Sequence, residues 1–117
     1  MKRLLIFIVF ISVFAFVNAE VDDYSARQAR QYTNEAIYYQ NKADGYRREA
    51  QYYLKQAENY HREAADYLRR GDVDRAKEYT RKEENAMDKY KTQMRYARNA
   101  NENAADYLKR AARILQN

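Results

Sequence analysis

Residues 29–67 read ARQYTNE AIYYQNK ADGYRRE AQYYLKQ AENYHRE AADY, and written in sevens they align. Alanine recurs at Ala29, Ala36, Ala43, Ala50, Ala57 and Ala64. Tyrosine recurs at Tyr32, Tyr39, Tyr46, Tyr53, Tyr60 and Tyr67, each time three residues after the alanine. Two apolar positions repeating every seven residues make a coiled-coil seam, here with alanine at position a and tyrosine at d. The phase runs through Gly45 without a slip. It therefore predicts one helix from Asp22 to Arg69, about 70 Å long at the usual rise per residue. Gly45 is its weak point, costing about 1 kcal/mol relative to alanine.

The phase breaks at Gly71. Arg69 and Arg70 suit a helix C-terminus, Gly71 suits the left-handed position just past it, and Asp72 or Asp74 can cap a following helix. A second frame then places Ala76, Glu83, Tyr90, Ala97, Ala104 and Ala111 at a. It places Tyr79, Ala86, Gln93, Ala100, Tyr107 and Ile114 at d. The expected turn is 70–73 and the second helix 73–115. The run Ala-Ala-Asp-Tyr-Leu at 64–68 recurs at 104–108, as an origin by repetition would leave it.

Folding the chain at Gly71 tests the two frames against each other. Tyr67 then faces Ala76, Ala64 faces Tyr79, Tyr46 faces Ala97, Tyr39 faces Ala104, Ala36 faces Tyr107 and Tyr32 faces Ala111. Large opposite small is what an interdigitated core needs. Each ring is expected to lie across its facing alanine, with the hydroxyl at the wet rim. Glu63 can meet Lys82, and Glu35 can meet Arg110, on the flank. Glu83 opposite Tyr60 and Gln93 opposite Ala50 are polar layers, which either fix register at a cost in stability or are simply solvated in a thin bundle. The expected fold is all-α, a long antiparallel two-helix hairpin.

Leu54, Leu68, Met87, Met94, Leu108 and Leu115 lie at e, Ile37 at b, and Tyr24, Tyr38 and Tyr52 at c. This apolar face is wider than a two-helix seam requires. A lone hairpin cannot cover it, so a homo-oligomer, such as a helical bundle of hairpins, is expected.

Upstream of the heptads, Lys2 and Arg3 precede an apolar run from Leu4 to Val17 that closes on Val17-Asn18-Ala19. That is the signal-peptide pattern, and it predicts cleavage after Ala19, leaving a hairpin from Glu20 to Asn117. The run is shorter than the roughly 20 apolar residues a membrane span needs, so no transmembrane segment is expected after cleavage. The expected location is extracellular or periplasmic.

The composition agrees. The 117 residues contain no cysteine, proline or tryptophan, two glycines and thirteen tyrosines. Disulfides, thiolate metal sites and turn-rich sheet folds are excluded. Formal net charge is +5, and loss of Lys2 and Arg3 leaves +3. The charges are interspersed, which favours at most an acidic surface or a protein partner and argues against nucleic acid. Ser25, the one serine after residue 19, has no histidine near it in the heptad plan, and no glycine-rich phosphate loop exists. No catalysis and no cofactor are expected. Glu58 and His61 have the Glu-x-x-His spacing of di-iron bundles, but those need two such elements, so no metal site is assigned.

Two features could carry function. Arg70-Gly71-Asp72 matches the Arg-Gly-Asp tripeptide of integrin ligands and would sit at a hairpin tip, although any helical turn would choose the same glycine and aspartate. Tyr24, Tyr38, Tyr52 and Tyr96 lie off both seams and are the phenols most available for oxidative cross-linking. The expected role is non-catalytic, a secreted structural or assembly protein of a matrix, coat, secretion or envelope. The alternatives are a helical binding module for a protein partner and an adhesive ligand acting through the tip.

Overall fold

The computed structural model describes residues 23–116. The predicted signal segment 1–19 and the expected helix start at Asp22 lie outside the described residues. Two long helices pack against each other: α1 over Asp23–Arg69 and α2 over Val73–Gln116. The second runs one residue past the expected Leu115, and Val73 belongs to it, so the turn is 70–72. Each helix places an acid in its first turn (Asp23, Asp74) and an arginine in its last (Arg69, Arg113), complementing the axial dipole. Thr33 and Thr80 return their hydroxyls to the carbonyls of Ala29 and Ala76, at 2.8 and 2.9 Å, so these β-branched residues leave no unmet polar atom inside a helix.

Helix α1 passes through Gly45 uninterrupted. It stops at Gly71, whose φ of 81° is the left-handed conformation that glycine adopts without penalty. Around it the Gly71 N–H donates to the Leu68 carbonyl at 3.0 Å and the Asp72 N–H to the Tyr67 carbonyl at 2.9 Å. This is the Schellman arrangement, which satisfies the carbonyls left over at a helix end. Asp72 then starts α2. Its carboxylate accepts the Arg75 N–H at 3.2 Å, and its carbonyl accepts the Ala76 N–H at 3.1 Å. Asp72 thus helps close the first helix through its N–H and caps the second through its carboxylate.

Packing divides the chain into two compact units. One is Gln40–Asn101, the turn and the arms next to it. The other pairs residues 23–39 with residues 102–116. Within each, the buried residues are alanines. Ala26, Ala29, Ala36, Ala104 and Ala111 are buried in the second unit, and Ala43, Ala50, Ala57, Ala64, Ala76, Ala86, Ala97 and Ala100 in the first. No large side chain among the described residues is fully buried. Tyrosines of both seams are half-buried around this alanine core.

The rings do not simply lie over alanines. Tyr79 stands between Tyr67 and Tyr60, with centroids at 5.3 and 6.1 Å. Tyr107 stands between Tyr39 and Tyr32, at 5.7 and 6.0 Å. A ring set opposite an alanine meets the tyrosines four residues before and three after that alanine, so phenols stack on phenols. Such contacts add about 0.5–1.5 kcal/mol each beyond their buried area.

The expected flank pairs are also redrawn. Lys82 pairs with Glu78 at 3.8 Å, one helical turn away, and its ammonium lies 4.6 Å from the centre of the Tyr79 ring. Arg110 lies 5.0 Å from the centre of the Tyr107 ring. In both places the cation lies over a π face of its own helix, and Lys82 also lies 6.0 Å from the centre of the Tyr60 ring on α1.

Candidate functional site

The described chain offers three places where chemistry or binding could occur: the tyrosine clusters, a groove beside His61, and the turn.

In the unit that joins residues 23–39 to 102–116, four rings form a continuous chain. Tyr38 meets Tyr39 edge-on at 5.3 Å, Tyr39 stacks on Tyr107 at 5.7 Å with planes 13° apart, and Tyr107 meets Tyr32 at 6.0 Å. The Gln28 amide donates to the Tyr32 hydroxyl at 3.5 Å. In the other unit the rings form smaller groups. Tyr46 meets Tyr96 at 5.4 Å, Tyr52 meets Tyr53 at 5.4 Å, and Tyr79 stacks between Tyr60 and Tyr67. Cations attend several of these, with Lys89 over Tyr53 and both Arg70 and Arg75 over Tyr67.

The four tyrosines read as off the seam are the most exposed of these phenols. Tyr24 is 71% exposed, Tyr52 56%, Tyr38 51% and Tyr96 41%. Three of them nonetheless touch another ring. Tyr24 alone among them has no ring neighbour within the described residues. Tyr79 lies beside the Glu63 carboxylate. The negative charge of Glu63, and the hydrogen bond its carboxylate accepts from the phenol, raise the Tyr79 pKa above its ordinary value of 10.0. Both effects favour the neutral phenol.

The groove lies in the unit that contains the turn. Leu54, Ala57, Glu58, His61, Arg62, Glu83 and Met87 line a hollow of about 380 Å³ with mainly apolar walls. At its edge His61 Nδ1 lies 3.0 Å from one Glu83 oxygen and 3.3 Å from the other. An imidazole nitrogen this close to a carboxylate acts as the donor. Glu83 was expected opposite Tyr60; its long side chain instead reaches to the flank and joins α1 to α2. Glu58 lines the same hollow, yet no group of three or more His, Cys, Asp or Glu among the described residues is placed to hold a metal ion. Leu68, an expected contributor to the apolar face, is exposed.

At the turn, Arg70 and Gly71 are exposed and Asp72 is partly covered. The Asp72 carboxylate already accepts the Arg75 N–H, and the Arg75 side chain sits 3.6 Å from its second oxygen. Gly71 and Asp72 thus both take part in making the turn, and the Arg70 side chain lies 5.9 Å from the centre of the Tyr67 ring.

The ring-to-ring chain and the His61–Glu83 pair escape a layer-by-layer reading of the heptads. A layer lists what lies opposite, whereas both features join adjacent layers. The signal for the first is available in principle: a tyrosine facing an alanine is flanked by that alanine's own tyrosines. No described helix is long and apolar enough to cross a membrane. Comparison of the chain with known protein families, with curated proteins and with solved structures finds no match.

Proposed function

We propose that this chain is a non-catalytic, exported helical protein that assembles with further copies of itself in an extracellular or envelope structure. The observation that carries the reading is the mismatch between core and face. The buried layer is alanine alone, while the larger aliphatic side chains Leu54 and Met87 line an open hollow and Leu68 is exposed. Alanine brings two backbones close but leaves little apolar area in the core. An apolar hollow beside such a core gains most by receiving a further helix, and heptad packing of hairpins into a bundle supplies one. The basic and apolar start of the sequence supports export.

Sedimentation of the chain from Glu20 onward, across a range of concentrations, tests this. The expected result is a reversible oligomer that Leu54→Glu with Met87→Glu dissociates while helicity is retained. A monomer at every concentration would overturn it. Mass analysis of the exported product should find Glu20 at the N-terminus.

The same hollow favours one second reading, a module that receives a helix from a different protein. It would hold if the chain is monomeric alone and the hollow is covered only in a complex.

A further inference from the structure

We infer that Tyr38 is the residue through which this chain is covalently coupled to a second copy by a dityrosine bond, with Tyr39, Tyr107 and Tyr32 forming a relay that delivers oxidation to it. The inference goes beyond the assembly reading and does not depend on it.

The four rings touch in sequence, at 5.3, 5.7 and 6.0 Å between centroids, all within the contact range of aromatic pairs. Phenols in contact exchange a one-electron vacancy far faster than two protein radicals diffuse together. An electron taken from any of the four rings is thus shared among them before coupling occurs. Which of the four rings couples is decided by exposure. Tyr32, Tyr39 and Tyr107 are half-buried, whereas Tyr38 is 51% exposed. A phenol oxidised near neutral pH must also lose its proton, and water takes it most readily at the exposed end. Only there can a ring carbon reach the ring of another molecule.

The step balances with a named oxidant. A peroxidase using hydrogen peroxide removes one electron and one proton from each of two Tyr38 phenols. The two radicals join through the carbons ortho to their oxygens, and the hydrogens on those carbons shift to restore two phenols. Overall two tyrosines and one hydrogen peroxide give one dityrosine and two waters.

Exposure alone makes a different prediction, which is what renders the inference testable. Tyr24 is the most exposed tyrosine, at 71%, and has no ring neighbour among the described residues. Simple accessibility therefore ranks Tyr24 first, and the relay ranks Tyr38 first. The purified chain should be treated with peroxidase and limiting hydrogen peroxide, followed by dityrosine fluorescence, a denaturing gel for covalent dimer, and peptide mapping of the links. Links at Tyr38 should predominate. Tyr38→Phe should lower dimer yield several-fold, and Tyr24→Phe should leave it close to the parent's. Tyr39→Phe keeps the ring but interrupts the relay, and should lower coupling at Tyr38 several-fold with unchanged helicity. Links led by Tyr24, an absence of dityrosine, or a Tyr39→Phe chain that couples as well as the parent would each overturn the inference.

Discussion

Gly71 and Asp72 hold the turn by different means, and the two can be separated. A side chain at Gly71 would meet nothing within 4 Å, so substitution there tests conformation alone. At a φ of 81° an L-residue is strained, and Gly71→Ala should destabilise the chain by about 1–2 kcal/mol in urea unfolding followed by circular dichroism. Gly71→Asn should cost less, because asparagine tolerates this region. Asp72→Ala leaves the backbone free but removes the cap on the Arg75 N–H, and should cost about 1 kcal/mol in the same assay. Tyr79 gives a residue-scale prediction in pH. Its pKa is raised in the folded chain by Glu63, so the neutral phenol is the form that folding favours. The resulting stabilisation is present in full below the ordinary value of 10.0 and is lost as pH rises through the raised value. Ring-resolved NMR titration should find Tyr79 ionising above its ordinary value of 10.0, and Glu63→Gln should bring it back towards that value.

Each helix is a long run whose interior was legible to different degrees. The alanines from Ala29 to Ala64, and Ala76, Ala97, Ala104 and Ala111, are buried, and seven-residue spacing of a small residue has few uses other than close backbone approach. The stop at Gly71 was legible because a single glycine between Arg70 and Asp72 has the chemistry of both an end and a start. Helix α1 also tolerates Gly45, where an added Cβ would meet only the Arg48 Nη2 atom at 3.9 Å. Gly45→Ala should therefore stabilise the chain by about 0.5–1 kcal/mol, read as a raised unfolding midpoint. The reverse holds at Ala50, which is fully buried. Ala50→Leu should cost about 1–3 kcal/mol, since the facing backbone has no space to yield. Less legible were the partners of long side chains. Lys82 turns to Glu78 and the Tyr79 face and leaves Glu63 to the phenol. Glu83 finds His61 outside its own layer. Spacing places a Cβ on a helix face, but several rotatable bonds beyond it are settled by whichever partner lies nearest.

For the molecule as a whole, a core of alanine supplies modest apolar burial per residue. If association through the hollow beside Leu54 and Met87 covers the rest, folding and assembly are linked by mass action. The unfolding midpoint should then rise with protein concentration in the parent and be independent of it in the Leu54→Glu, Met87→Glu chain. The alanine core has a further consequence, in heat capacity. Unfolding here exposes methyl groups and tyrosines that were already half wet, and little large aliphatic surface. Apolar exposure is what makes the heat capacity of unfolding large. Calorimetry of the dissociated chain should give less than the usual 12–15 cal/mol/K per residue, roughly speaking. A small heat-capacity increment flattens the curve of stability against temperature. Such a chain would keep nearly the same margin of folding in the cold as in the warm, with the temperature of cold unfolding pushed well below that of a protein with a leucine core.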